Sequence, residues 1–117
     1  MRLFAYGTLR QREVQLATCG RPLDGTPDRL SGYRLEPLTI SDPEVVRVSG
    51  KPVHWIARKT GDPADCIEGV LFELSEAELA AADAYEVDAY ARAEEVLGSG
   101  TRAFVYVGPP IGPTSRP

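Results

Sequence analysis

An α+β domain, a strand-rich and partly closed barrel with one main helix packed against it, is the fold that this sequence predicts. Three observations predict it. Short runs of β-branched and aromatic residues recur along the chain, each ended by Gly, Pro or Asp. One segment, Ser75–Tyr85, carries a full helix signature. The apolar fraction of the 117 residues is 43%, the level of an ordinary globular domain, so the chain can build one core.

Arg2–Tyr6 reads as the opening strand, with Leu3 and Ala5 alternating against Phe4 and Tyr6 until Gly7 stops it. Arg12–Thr18 is predicted as a short helix carrying Val14, Leu16 and Ala17, ended by Gly20 and Pro22. Arg21–Asp28 has the composition of a loop. Tyr33–Leu35, Val45–Val48 and Val53–Arg58 read as short strands separated by Pro and Gly. Asp62, Pro63 and Asp65 make a turn before the clearest strand, Cys66–Leu74. In the helix, Ser75 and Glu78 form a capping box, and Ala77 and Leu79–Ala82 are strong helix formers. Tyr90–Leu97 and Arg102–Val107 are the last two strands, a hairpin around Gly98-Ser99-Gly100. The expected domain is residues 1–108, and the proline-rich segment 109–117 is expected to be a flexible tail.

Composition excludes several kinds of chemistry. The net charge is −4 with both signs interspersed, so no concentrated basic field is available for nucleic acid. No apolar run is long enough to span a membrane, and the first residues enter a strand pattern directly, so a cytoplasmic location is expected. Cys19 and Cys66 are too few for a disulfide framework and are expected to be reduced thiols. With His54 as the single histidine and no metal-ligand spacing, no metal and no cofactor are expected. What remains is carboxylates, hydroxyls and backbone groups.

Two places draw attention within that inventory. Leu79, Ala82, Asp83 and Glu86 fall at helical spacing on one stripe, and a carboxylate at the end of a core-facing stripe is out of place. Either the helix has frayed by Tyr85 and Glu86 points into water, or Glu86 sits at a pocket edge, tuned toward neutrality for acid/base work. The turn Tyr6-Gly7-Thr8-Leu9 is the second place. It is either an ordinary strand end or a loop whose unpaired N–H groups hold a carboxylate or a developing oxyanion.

The combination resembles a known family. Leu3-Phe4-Ala5-Tyr6-Gly7-Thr8-Leu9-Arg10 is similar to the hallmark turn of the γ-glutamylcyclotransferase-like, or AIG2-like, family. Glu68–Leu74 resembles that family's strand before its helix, and Ala82-Asp83-Ala84-Tyr85-Glu86 with Tyr90-Ala91-Arg92 resembles the segment that follows. Phe104–Val107 is similar to its closing aromatic strand. The resemblance runs from residue 1 to about 107 in the family's order, and the middle third is its least distinctive part.

That resemblance implies a small mixed barrel with its substrate between the turn and the helix. It implies Tyr6, Gly7, Thr8 and Leu9 as binding residues and Glu86 as the proton acceptor. Tyr90, on one strand face with Arg92, either lines the pocket as a further substrate-binding residue or packs in the core. The implied reaction cyclises a γ-glutamyl amine or amino acid to 5-oxoproline. The partner is thus a small molecule, with no role for nucleic acid or membrane. Two departures bear on substrate choice: Val87 stands where the family often has glycine, and the tail offers no tyrosine. Among the lesser residues, Asp83 is expected to pair with Arg92 or a loop amide, His54 and Trp55 to face opposite sides of a strand, and Cys66 to lie in the core. The competing function is a non-catalytic small-molecule-binding or regulatory module on the same scaffold.

Overall fold

The computed structural model describes residues 1–39, 43–50, 53–86 and 90–109. The elements are β1 (Arg2–Ala5), α1 (Arg12–Cys19), β2 (Gly25–Ser31), β3 (Tyr33–Thr39), α2 (Pro43–Ser49), β4 (Val53–Lys59), β5 (Cys66–Glu73), α3 (Glu76–Tyr85), β6 (Ala91–Val96) and β7 (Arg102–Val107). A single 3₁₀ turn, Thr8–Arg10, sits between β1 and α1.

Seven strands form one mixed sheet in the order β2-β5-β1-β7-β4-β3, with β6 also paired to β7. The sheet curls without strict closure, the partly closed barrel expected. Strand β1 lies antiparallel to β5 and parallel to β7. On β7, Leu3 of β1 pairs with Phe104, whereas Ala57 of β4 pairs with Val107 further along. Strand β7 therefore passes from one neighbour to the other, and β1 and β4 part beyond it. The hollow described below opens at that fork.

Strand alternation sends β1 side chains to both faces, and both are covered. Leu3 and Ala5 pack with Val14, Phe72, Leu74, Leu79 and Ala82 beneath α1 and α3. Phe4 and Tyr6 pack on the other face with Leu30, Tyr33, Ala57, Ile67 and Val105. A strand sandwiched this way is a rigid support for the turn that leaves it. Helix α1 packs against α2 and α3, and it ends at Gly20, whose φ of 75° is a left-handed cap that glycine adopts without strain.

Three expectations changed. Val45–Val48 is helical, within α2, and not a strand. Pro43 and Glu44 suit a first helical turn; at helical spacing, Val45 is buried and Val48 packs against the core shared with α1 and α3. Packing of that stripe outweighs the β preference of valine. The segment read as loop to Asp28 becomes β2 from Gly25, because its main chain pairs with β5 from Gly25↔Phe72 to Ser31↔Cys66. Pro27 is tolerated there because β2 is an edge strand. Cys66 is exposed, since the β5 alternation turns Ile67 inward instead. Cys19 and Cys66 are both free thiols.

The main helix is α3, accompanied by α1 and the shorter α2. Its capping box is complete: Ser75 Oγ accepts from the Glu78 N–H at 3.1 Å, and the Glu78 carboxylate accepts from the Ser75 N–H at 2.9 Å. The hairpin between β6 and β7 has the expected turn, with the Leu97 N–H donating to the Thr101 carbonyl. Tyr90 precedes β6 instead of opening it. Arg58 Nε donates to the Pro109 carbonyl at 2.8 Å, and the rest of the expected tail, like Val87, lies outside the described residues.

Candidate active site

At the fork, a hollow is lined by β1, the turn Tyr6–Leu9, His54 and Trp55 of β4, Glu86, Tyr90 and Tyr106. The turn comes from the start of the chain and Glu86 from the end of α3. The fold brings the two sequence candidates into the lining of one hollow.

Glu86 reaches the hollow by helix termination. Helix α3 stops at Tyr85, and the Glu86 N–H makes the last helical bond, to the Ala82 carbonyl at 3.1 Å. The backbone of Glu86 is already extended, with φ −70° and ψ 142°. The helix does end at Tyr85, yet the carboxylate stays half-buried at the hollow instead of entering water. Burial first, and the nearby Asp83 carboxylate second, push its pKa up from an ordinary 4.5 to about 7. A group so poised exists in both protonation states near neutrality.

The turn is tied to the helix end directly, by a hydrogen bond of 2.8 Å between Thr8 Oγ1 and the Tyr85 hydroxyl. Its N–H groups at Thr8 and Leu9 begin a 3₁₀ turn and have no hydrogen-bond partner among the described residues. A Cβ built at Gly7 would meet nothing within 4 Å. The lack of a side chain at this lining residue thus leaves open space beside the hollow. Buried Gln15 of α1 braces the turn from behind: its amide nitrogen donates to the Leu9 carbonyl at 3.0 Å, and its amide oxygen accepts from the Leu23 N–H at 2.8 Å.

Tyr6 lines the hollow with its ring while its hydroxyl is engaged inside the fold. That hydroxyl donates to the Tyr106 carbonyl and accepts from the Ala57 N–H at 2.9 Å. Desolvation drives the Tyr6 phenol far above its ordinary range. Tyr90 donates to the Trp55 carbonyl at 2.9 Å, and burial raises its pKa as well, with Glu86 adding to the effect. Both tyrosines therefore present neutral rings.

Asp83 behaves as expected of a structural carboxylate, pairing with Arg92 at 2.8 Å. It also accepts from the Tyr106 hydroxyl at 2.6 Å, a bond that sequence spacing did not signal. His54 had little to recommend it in the sequence, yet it is 6% exposed and lines the hollow, whereas adjacent Trp55 is 50% exposed, as strand alternation requires. Among the described residues no group of three or more His, Cys, Asp or Glu side chains could hold a metal ion. Nor, among those residues, is any helix long and apolar enough to cross a membrane.

Residues 3–116 match the family model described as gamma-glutamyl cyclotransferase, AIG2-like. The chain belongs to that family. Solved structures share its fold. A protein of Arabidopsis thaliana, known from a solution structure, superposes with a TM-score of 0.68 at 22% identity, over 92% of this chain and 61% of that one. A structure titled gamma-glutamyl cyclotransferase gives a TM-score of 0.68 at 16% identity, over 92% of this chain and 65% of that one. An uncharacterized protein of Pyrococcus horikoshii gives 0.57 at 17%, over 92% and 77%. This family member thus spans less than two thirds of the first and second of these, and at such identities the likeness is one of fold. No curated protein matches the chain significantly.

Proposed function

We propose that this member of the gamma-glutamyl cyclotransferase, AIG2-like family cyclises a γ-glutamyl amine or γ-glutamyl amino acid to 5-oxoproline, with Glu86 as general acid/base. One observation supports this reading above the rest: a half-buried carboxylate with a pKa of about 7 lines the same hollow as a turn whose Thr8 and Leu9 N–H groups have no partner among the described residues.

The substrate supplies its own nucleophile. Its α-amine attacks its own γ-carbonyl carbon, a carbon–nitrogen bond forms, and a tetrahedral oxyanion develops. Ionised Glu86 takes the proton that the α-nitrogen must lose. Collapse of the intermediate breaks the bond to the leaving nitrogen, which receives that proton from Glu86. No water, metal or cofactor enters the balance. The Thr8 and Leu9 N–H groups are the donors for the oxyanion, and open space at Gly7 lets the carbonyl approach them. Tyr6 and Tyr90 wall the hollow and hold the glutamyl chain in a folded conformer, an orienting effect worth up to roughly 7–11 kcal/mol in favourable cases. Proton transfer by Glu86 adds about 10²–10⁴-fold.

The working unit in this reading is residues 1–108, with 109–117 appended. The proposed setting is the cytoplasm, where the free thiols Cys19 and Cys66 stay reduced.

The test is incubation with a panel of γ-glutamyl amines, γ-glutamyl amino acids and glutathione, measuring 5-oxoproline. Turnover lost in Glu86→Gln, with circular dichroism unchanged, is the expected result. Folded protein that binds these compounds in a thermal-shift assay without releasing 5-oxoproline would make this member a binding module instead.

A further inference from the structure

A second hollow adjoins the first. It is lined by Arg10, Gln11 and Val70 together with Tyr6–Thr8, His54 and Trp55, which it shares with the Glu86 chamber. Counted out to solvent it holds about 900 Å³, against about 390 Å³ for the inner one, so the outer space is the roomier side of the shared wall. A γ-glutamyl group whose carbonyl sits at Gly7 and Thr8 must send its leaving group somewhere, and this is the adjoining room.

Two residues give that room a chemical character. Among the described residues, Arg10 is the one charged residue on its lining, and no carboxylate lines it. Its Nε donates to the Gly7 carbonyl at 3.2 Å, which holds the guanidinium at the lip of the turn, and it makes no ion pair among the described residues. Trp55 leaves half of its surface open to solvent. Among the described residues the cation–π pair is Arg92 over Phe104, so Arg10 does not stack on the indole and both surfaces stay available. A half-exposed tryptophan and an arginine without an ion pair among the described residues, lining one hollow, suit a ligand that is flat or apolar at one point and anionic at another.

We propose that the outer hollow is the leaving-group subsite, and that it selects γ-glutamyl amino acids over γ-glutamyl amines. Arg10 binds the α-carboxylate of the departing amino acid, and Trp55 packs against an aromatic or large apolar side chain. The inference rests on the cyclotransferase reading and narrows its substrate class.

The experiment compares γ-glutamyl-phenylalanine with γ-glutamyl-phenethylamine, whose leaving groups differ by one carboxylate. Trp55 is the sole tryptophan of the sequence, so its fluorescence also reports occupancy of the subsite directly. Wild-type kcat/KM is expected to favour the phenylalanine conjugate by roughly tenfold or more, the scale of one hydrogen-bonded charge pair. Arg10→Met should bring the ratio near one, and Arg10→Lys should restore part of it, which separates charge from damage to the turn. Trp55→Ala should penalise the phenylalanine conjugate more than γ-glutamyl-alanine. Equal turnover of the two conjugates, or a preference that survives in Arg10→Met, overturns the subsite and leaves the cyclotransferase reading standing. Should no 5-oxoproline form from any conjugate, that reading fails, and titration of Glu86→Gln followed by Trp55 fluorescence decides the subsite. Carboxylate-dependent binding that is lost on adding Arg10→Met supports it; equal or absent binding of the two conjugates overturns it.

Discussion

Replacing Glu86 by glutamine should make the protein more stable at alkaline pH while disabling it. A carboxyl whose pKa rises from 4.5 to about 7 on folding binds its proton more tightly in the native state by about 3 kcal/mol. Below pH 4.5 the group is protonated in both states, and folding loses nothing through it. As pH rises from 4.5 to 7 the unfolded chain ionises first, so native stability falls, and above pH 7 the loss is complete. Glutamine has the same shape and never ionises, so the variant escapes the loss. Urea unfolding at pH 4 should find the two proteins alike, and at pH 8 the variant should lead by up to about 3 kcal/mol, on the order of 10 °C in Tm. The same substitution should reduce 5-oxoproline formation by about 10²-fold or more. A stability difference that is identical at both pH values, or a variant less stable at pH 8, would refute the idea that desolvation governs this carboxylate. It would mean that Glu86 is solvated or stabilised by a partner when charged.

Gly7→Ala adds a methyl that meets no atom within 4 Å, at a residue that lines the hollow, and kcat/KM should drop roughly 10- to 100-fold. Thermal melts beside steady-state kinetics will show whether the glycine serves space or stability. Gln15→Ala removes the acceptor of the buried Leu23 N–H and the donor to the Leu9 carbonyl, so it should cost about 1–3 kcal/mol in urea unfolding. It should also raise KM by loosening the turn. Ser75→Ala should cost about 1 kcal/mol through the lost cap. Arg21 and the Ser75 N–H hold the Glu78 carboxyl down at about 2, so their stabilisation is present above pH 4.5 and is lost as pH falls toward 2, a loss that Glu78→Gln should blunt.

The parts of the molecule legible in the sequence are those written in local chemistry. Ser75 and Glu78 sit three residues apart and determine each other's bonds, so α3 could be read without knowing its neighbours. The opening strand and the closing hairpin were equally local. Segments whose fate depends on partners were not legible. Gly25–Asp28 becomes strand because β5 offers it a ladder, and Val48 turns inward on a helix because the core under α1 and α3 provides a surface for it. The site followed the same division. Tyr6, Gly7, Thr8 and Leu9 stood out as a turn and Glu86 as a misplaced carboxylate, but whether they met was a property of the fork between β1 and β4. His54 carried no local signal beyond being the single histidine, and its burial at the hollow follows from β4 pairing with β3 and β7.

Tyr106 serves both walls at once, its carbonyl taking the Tyr6 hydroxyl and its own hydroxyl reaching Asp83. The end of α3 and the start of the turn therefore hang from a common pin on the closing strand. Changes at the rim, as at Arg10 or Trp55, leave that pin untouched. If the proposed reaction holds, a scaffold so arranged could trade one departing group for another over evolutionary time while the turn and the helix end keep their places, and the same freedom is open to anyone redesigning it.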